Sequence, residues 1–237
     1  MPTLCLDTSA GSAVAIHDGG RVLARARHDG HRGHAENLAP LIEAVLRESG
    51  LTAGDLDLVA VGTGPAPYTG LRVGLATAAA LARALGVPVH GVSSLDILAR
   101  QALDVVPGAT VLVATDARRR EVYSARFREQ GPDDVARTDG PSVGPAADLA
   151  VDAGAELVDH VADGGRVVVA GPGALLYPES LIPTPGIPNQ LDPAVLGRIV
   201  AARLARRAAG DEIELSTEPL YLRRPDVSPA AARKRAT

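Results

Sequence analysis

The pattern of apolar and polar positions predicts strands and helices in a regular succession over the first hundred residues. Period-two alternation predicts a meander of three strands, at residues 3–7, 12–17 and 21–27. Apolar residues at helical spacing then predict an amphipathic helix over 37–48, with Pro40 in its first turn. Short apolar runs predict two further strands, at 56–61 and 87–92.

Between these last two strands, a proline-containing loop leads into an alanine-rich helix that ends near residue 85. Pro65 and Pro67 fix φ and lack an amide hydrogen, so we expect the helix to begin near Tyr68 or Thr69. Thr69 is the residue type that favours the N-cap position. The sequence therefore predicts a stiff strand–loop–helix junction at this point.

Gly70 and Gly74 lie inside the predicted helix, where a glycine is about 1 kcal/mol less favourable than an alanine. Two such residues indicate that another backbone or a ligand comes close. Neither common nucleotide motif fits the junction. Gly70 is not followed by Lys and Ser or Thr as in a Walker A loop, and Pro67 occupies a position that a dinucleotide fingerprint reserves for Gly or Ala.

The second half of the chain repeats the layout of the first half in a shorter form. Strand, aspartate, polar turn and strand recur over residues 110–127, which places Asp116 where the first half has Asp7. We expect the remaining elements to be a helix near 145–162, a strand at 166–170, the Gly-Pro-Gly turn at 171–173 and a helix at 193–207. A proline-rich, irregular connection is expected over 181–193, and a disordered tail from residue 227.

Composition and charge narrow the classes of function. Hydrophobic residues make up 46% of the chain, which is typical of a globular protein, whereas aromatic residues make up only 2%. With few stacking side chains and a net charge of −4, the chain alone is expected to bind RNA weakly. The basic runs at 118–120 and 233–235 are interpreted as solvated faces.

Cys5 is the single cysteine, so no internal disulfide and no cysteine metal cluster can form, and a cytoplasmic protein is expected. No export signal and no membrane-spanning run is found in the sequence. His28, His31 and His34 lie in a polar loop, but no carboxylate or cysteine is placed to complete a tetrahedral zinc site with them. We therefore expect no metal.

Asp7, Thr8 and Ser9 follow the first predicted strand and allow two interpretations. A carboxylate and two hydroxyl groups at the end of a strand can face a phosphate or its metal ion. The same residues can form a turn in which the Asp and Ser side chains bind local amides. The residues alone leave both open.

Five segments together resemble one known family. GTGPAPYTGLRVGLA at 62–76, followed by VPVHGVSSLDILA at 87–99, resembles the GPGSFTGLRIG signature of the TsaB family; Ala66 and Pro67 replace its Gly-Ser, and Tyr68 replaces its Phe. LDTS at 6–9, DARRREVY at 116–123 and PLYLRRP at 219–225 extend the resemblance over most of the chain. The family is the non-catalytic partner of TsaD in bacterial tRNA threonylcarbamoyladenosine synthesis.

The tandem layout and this resemblance imply the same fold class. It is an α/β fold of two RNase H-like units of the actin, sugar-kinase and Hsp70 type, with mixed sheets flanked by helices and a smaller second unit. The expected boundaries are 1–105 for the first unit, 106–226 for the second and 227–237 for the tail. The final helix is free to pack back on the first unit.

The resemblance also implies the absence of a catalytic metal. TsaD continues its junction with an N-H-L-E-G-H segment whose two histidines hold the metal, and Ser94 and Leu98 occupy those two positions here. The favoured function is therefore a non-catalytic interaction protein that forms a heterodimer with a TsaD-like relative. The alternative is an ATP-dependent, kinase-like phosphotransferase that uses Asp7, Thr8 and Ser9.

Two sets of residues follow from the resemblance as candidates. The partner interface is predicted on the first two helices, at Leu38, Leu41, Ile42, Val45, Gly70, Leu71, Val73, Gly74 and Thr77. A nucleotide-proximal loop is predicted at Asp7, Thr8, Ser9, Gly64, Pro65, Tyr68, Thr69 and Arg72. No cofactor is expected to bind tightly, although ATP or ADP can lie at the partner interface. The expected partners are the TsaD-like relative, a TsaE-like ATPase, tRNA only through the complex, and a second copy of the chain in a homodimer.

Overall fold

The computed structural model describes residues 1–30, 34–149 and 166–223. Its first sheet has the strand order β3-β2-β1-β4-β5. The strands are β1 (Thr3–Asp7), β2 (Ser12–Asp18), β3 (Arg21–His28), β4 (Leu58–Gly62) and β5 (Val89–Val92). The first three strands pair antiparallel, whereas β4 pairs parallel to β1 and β5 parallel to β4. This is the mixed sheet of an RNase H-like unit.

Two helices, α1 (His34–Ser49) and α2 (Tyr68–Leu85), cover one face of this sheet. Leu4 and Leu6 of β1 share a buried core with Val45 of α1 and Ala78 of α2. Because neighbouring strand residues point to opposite faces, Cys5 belongs to a second core on the other side of the sheet. A 3₁₀ turn at Ala53–Asp55 connects α1 to β4.

The second sheet has the order β8-β7-β6-β9, which repeats the order of the first four positions of the first sheet. Its strands are β6 (Thr110–Arg118), β7 (Glu121–Glu129), β8 (Val135–Pro145) and β9 (Val167–Ala170). β7 pairs antiparallel with β6 and β8, and β9 pairs parallel to β6. The predicted fold class is confirmed, with a smaller second sheet in the described residues.

Three more helices are α3 (Ser94–Val105), α4 (Pro172–Leu176) and α5 (Pro193–Ala208). Residues 94–103 of α3 are all buried. One core cluster contains Cys5 of the first sheet, Phe127 of the second, Leu98 of α3 and Leu196 of α5. The two sheets therefore share a core around α3 and α5.

Buried ion pairs reinforce this junction. Asp96 of α3 pairs with Arg137 of β8 and with Arg203 of α5, each at 2.8 Å. Arg203 also bonds to Asp134 in the β7–β8 loop at 2.9 Å. Asp96 and Asp134 are almost fully buried. Their negative charges are therefore compensated by the arginines that pair with them and not by water.

After α5 the chain runs across both sheets. The amide of Gly91 donates to the carbonyl of Leu215 at 3.0 Å, and the amide of Leu220 donates to the carbonyl of Thr63 at 2.9 Å. Arg223 Nη1 then donates to the carbonyl of Ala117 in β6 at 2.9 Å. None of the described helices is both long and apolar enough to span a membrane.

Several predicted bounds are corrected in the first half. The first helix begins at His34, three residues before the expected start, so Pro40 lies inside the helix and His34 is not a loop residue. Thr69 is not the N-cap of α2, because the helix begins at Tyr68 and Pro67 takes the cap position without a side-chain hydrogen bond. Helix α3 was not predicted.

In the second half, β8 was missed because Gly140 and Pro141 interrupt its sequence. β8 lies at the sheet edge, where proline is tolerated since one side of the strand has no ladder to donate to. The strand reaches Pro145 and residues 146–149 are helical, so the helix expected near 145–162 begins at 146, within one residue of the predicted start. Residues 150–165, the predicted tail from 227 and His31 lie outside the described residues.

Candidate functional site

A cleft of about 840 Å³ opens where the first strands of the two sheets end. Asp7, Thr8 and Ser9 line it from β1, and Asp116 lines it from β6. Leu98 of α3 forms part of its wall. The structure therefore places the two aspartates of the repeated layout in one cleft, as corresponding positions of two similar units.

Asp7 is buried at the bottom of this arrangement, and both of its carboxylate oxygens accept hydrogen bonds. Oδ1 accepts from the Ser9 amide at 2.7 Å and from Ser9 Oγ at 2.5 Å. Oδ2 accepts from Ser94 Oγ at 2.6 Å. Of the two interpretations of this motif, the turn is thus formed, and it has an additional long-range partner on α3.

Two glycines make this packing possible. A Cβ added to Gly62 would overlap with the Asp7 carboxylate, and one added to Gly74 would overlap with Thr8 Oγ1. Thr8 Oγ1 in turn donates to the carbonyl of Gly70 at 2.9 Å. The close approach that the helix glycines predicted is therefore made within the chain, by the Thr8 side chain.

The carbonyl of Gly64 anchors the start of α3. It accepts from the Ser94 amide at 2.7 Å and from Ser93 Oγ at 3.1 Å. Ser93 is also the N-cap of α3, because its side chain accepts from the Leu95 amide at 3.2 Å. Of the predicted nucleotide-proximal residues, Gly64 thus has a structural contact and is not part of the cleft lining.

Arg72 forms a cluster with two tyrosines. Its guanidinium carbon lies 3.8 Å from the centroid of the Tyr68 ring, and its Nε donates to Tyr221 Oη at 3.0 Å. The two rings lie 4.9 Å apart. Tyr68 lines the cleft together with Pro65 and Thr69, whereas Arg72 does not. This cluster holds the C-terminal segment on α2.

In the second unit, Asp116 and the Gly-Pro-Gly turn are likewise engaged by contacts within the chain. Asp116 Oδ1 accepts from the Arg118 amide at 2.7 Å, and Oδ2 pairs with Arg118 Nη1 at 3.0 Å. A Cβ added to Gly173 would lie 2.8 Å from the carbonyl carbon of Ala114 in β6. The glycines of the Gly-Pro-Gly turn therefore allow α4 to pack closely on β6.

Comparisons with known proteins place this geometry in a family. A family model described as TsaD, tRNA N6-adenosine threonylcarbamoyltransferase, matches residues 26–182. The TsaB protein of Haemophilus influenzae, named for tRNA threonylcarbamoyladenosine biosynthesis, is 35% identical over 122 residues, which are 51% of each chain. The solved structure of YeaZ from Pseudomonas aeruginosa superimposes with a TM-score of 0.75 and 30% identity over 93% of this chain and 99% of that chain.

The chain belongs to the TsaD family, on its TsaB branch. The resemblance predicted from these five segments is thereby confirmed. The chain spans only about half the length of the H. influenzae TsaB protein that it matches. A longer match is with the uncharacterized protein Rv3421c of Mycobacterium tuberculosis, 43% identical over 203 residues, or 84% of this chain and 80% of that protein.

Within this member of the family, the predicted interface residues fall into two groups. Leu38, Ile42, Val45, Leu71 and Gly74 are buried inside the chain, so a partner cannot reach them while α1 and α2 stay on the sheet. Leu41, Gly70, Val73 and Thr77 are half-buried and accessible in part. Val73 and Gly70 also line the cleft. The interface stays a prediction, now restricted to the accessible group.

Ligands for a metal ion are not gathered in the described part of this member. Across residues 1–30, 34–149 and 166–223, no three His, Cys, Asp or Glu side chains lie close enough together to hold one. His28 ends β3, and the chain continues through undescribed residues before α1.

Sequence reasoning missed several residues of the site. Leu175 and Leu176 of α4 are more than half exposed and line the cleft. Ser94 was considered only as a replaced ligand, although its hydroxyl is the partner of Asp7. A pair of polar residues 87 positions apart has no periodic signal, so only a comparison of many sequences could have indicated this contact.

Proposed function

We propose that this chain is the non-catalytic TsaB-type subunit in the synthesis of threonylcarbamoyladenosine in tRNA, and that it acts as a heterodimer with a TsaD-like catalytic relative. The family assignment supports the pathway. The non-catalytic role is supported by the contacts of Asp7 and Ser94 and by the residues at the two histidine positions of TsaD.

One observation carries the non-catalytic role. At the first histidine position Ser94 donates its hydroxyl to Asp7, and at the second position Leu98 offers no lone pair to any ligand. Asp7 is only 3% exposed and already accepts three hydrogen bonds. A carboxylate that is buried and hydrogen-bonded in this way stabilises the contact between β1 and α3 and is poorly placed to bind an incoming substrate.

The partner surface is proposed on the outer side of α1 and α2. The described residues there include half-buried Leu41 and Thr77 and the exposed Ala80, one turn beyond Thr77. These side chains are uncharged, and the core of a protein interface is depleted in charged residues. We propose that the same surface forms the homodimer when the catalytic relative is absent.

We propose that this chain binds ATP or ADP only loosely. No cofactor is held tightly by this chain, and ATP or ADP binds, where it binds, at the interface with the relative. A TsaE-like ATPase joins the complex, and tRNA is bound through the complex.

The interface is tested by introducing a charge on the proposed surface. Ala80→Glu is expected to abolish co-elution with the TsaD-like relative, because an unpaired carboxylate in an apolar contact has no compensating charge. Ala201→Glu places the same residue on the exposed side of α5 and is the matched control. Normal co-elution of a folded Ala80→Glu protein would place the interface elsewhere.

A second candidate function is favoured by the cleft itself. Asp7, Thr8, Ser9 and Asp116 line one cavity, as a phosphotransferase that holds a metal–nucleotide complex would require. The purified chain alone, incubated with ATP and Mg²⁺, distinguishes the candidates. Turnover above background that is lost in Asp7→Asn would favour the phosphotransferase; we expect no turnover.

A further inference from the structure

The hairpin tip between β6 and β7 consists of three consecutive arginines in an unusual backbone conformation. Arg118, Arg119 and Arg120 have φ angles of 66°, 56° and 65°. Arg118 pairs with Glu121, so Arg119 and Arg120 form a two-residue loop with the positive φ angles of a type I′ turn. We name residues 118–120 the arginine turn.

Arginine is a poor choice for this conformation. Left-handed backbone is sterically unfavourable for residues with a Cβ, and type I′ turns favour Asn-Gly, which fits without strain. A turn selected only for solubility would gain stability from Asn-Gly and still be solvated. Three successive strained arginines therefore indicate that the guanidinium groups themselves are needed.

The arginine turn also brings three positive charges together. All three residues are exposed. Among residues 1–30, 34–149 and 166–223 it is the longest uninterrupted basic run, in a chain whose net charge is −4. Arg118 additionally lines the rim of the cleft and pairs with Asp116, which fixes the base of the turn.

We propose that the arginine turn binds the phosphate backbone of the RNA substrate in the assembled complex. This inference rests on the proposed function, which supplies an RNA. A small anion requires a concave site with converging donors, whereas the tip of a hairpin is convex and suits an extended polyanion. Arginine forms bidentate bonds to phosphate oxygens, and such contacts position an RNA without reading its sequence.

The test uses a variant for which stability and RNA binding should change in opposite directions. Arg119→Asn with Arg120→Gly removes the strain, so we expect the melting temperature of the chain to rise by about 2–4 °C. In the complex with the TsaD-like relative, tRNA affinity should fall about 10-fold at 0.1 M salt, and the slope of log affinity against log salt should become shallower by about 1.4–1.8.

Two further variants separate charge from shape and position. Arg119→Lys with Arg120→Lys keeps both charges and should retain most of the affinity and the slope. Arg21→Gln with Arg207→Gln removes two exposed charges from other surfaces and should change neither. All measurements are made on the reconstituted complex by fluorescence anisotropy with labelled, unmodified tRNA.

Each outcome decides the proposal. Unchanged tRNA affinity and slope in the Asn-Gly variant would overturn it. Loss of co-elution with the relative in that variant would identify the turn as a protein contact and would also overturn it. Formation of the modified nucleoside by the wild-type complex is scored separately: its absence contradicts the proposed function, whereas the affinity ratio of variant to wild type decides the role of the turn.

Discussion

Replacing Gly74 by alanine should destabilise the chain, although alanine is the better helix former. In an open helix position the exchange would stabilise by about 1 kcal/mol. At Gly74 the added Cβ overlaps with Thr8 Oγ1, and a displacement of a packed side chain costs about 1–3 kcal/mol. The hydrogen bond from Thr8 to Gly70 is then lost, at about 0.5–1.5 kcal/mol.

The sum of these effects is a net destabilisation of about 0.5–3.5 kcal/mol for Gly74→Ala. Both unfavourable effects depend on the Thr8 side chain. In a Thr8→Ala background, Gly74→Ala should therefore be close to neutral or stabilising by up to about 1 kcal/mol. The sign of the mutation reverses between the two backgrounds, which makes the pair a double-mutant cycle with strong coupling.

Urea denaturation of the four proteins of this cycle measures the coupling. Gly144→Ala, where an added Cβ meets nothing within 4 Å, is the control for a glycine without a close neighbour. Equal effects of Gly74→Ala in both backgrounds would refute the packing explanation.

Three further predictions concern the core. Asp96→Ala should destabilise by about 3–5 kcal/mol in denaturant titrations because it leaves buried arginines uncompensated, whereas Arg25→Ala, whose side chain is 62% exposed in its pair, should change stability by only about 0–1 kcal/mol. Burial and the nearby charge of Arg198 lower the pKa of His17 from its ordinary value of 6.5. The contribution of His17 to the free energy of unfolding should therefore be complete above pH 6.5 and decrease as the pH falls below it. His17→Gln should make the measured stability less dependent on pH between 7 and 5. Burial also raises the pKa of the Cys5 thiol, so a thiol reagent should label it only at the rate of unfolding; rapid labelling of the native chain would contradict this.

The sequence predicts well the elements in which the spacing of apolar residues is clear. β1, β2 and β3 were placed within one residue at each end, and α5 was placed within one residue at its C-terminal end. α1 was predicted with a late start, because its first residues are polar or small and carry no apolar period.

The elements that were missed contain residue types that are normally found at the surface or in turns. α3 contains Arg100, which is 2% exposed yet charged, because Asp104 and Glu129 lie within 3.5 Å of it. A pattern that assigns charged residues to the surface cannot find such a helix. β8 contains a glycine and a proline, which an edge strand tolerates. In a sequence pattern the same two residues indicate the end of a strand.

For the candidate site, the residues of one continuous segment could be predicted, and the contacts between distant segments could not. Asp7, Thr8 and Ser9 were expected near the end of β1 and do line the cleft. The bond of Ser94 to Asp7 and the cluster of Arg72 with Tyr221 join residues far apart in the chain, so only the fold reveals them.

The most direct test of the proposed function measures the modified nucleoside in the cell. The chain is depleted in its native host, and threonylcarbamoyladenosine in total tRNA is quantified by liquid chromatography and mass spectrometry. We predict that the nucleoside falls on depletion and returns with wild-type protein or Ala201→Glu, but not with Ala80→Glu. An unchanged level of the nucleoside after depletion would contradict the role of this chain in that pathway.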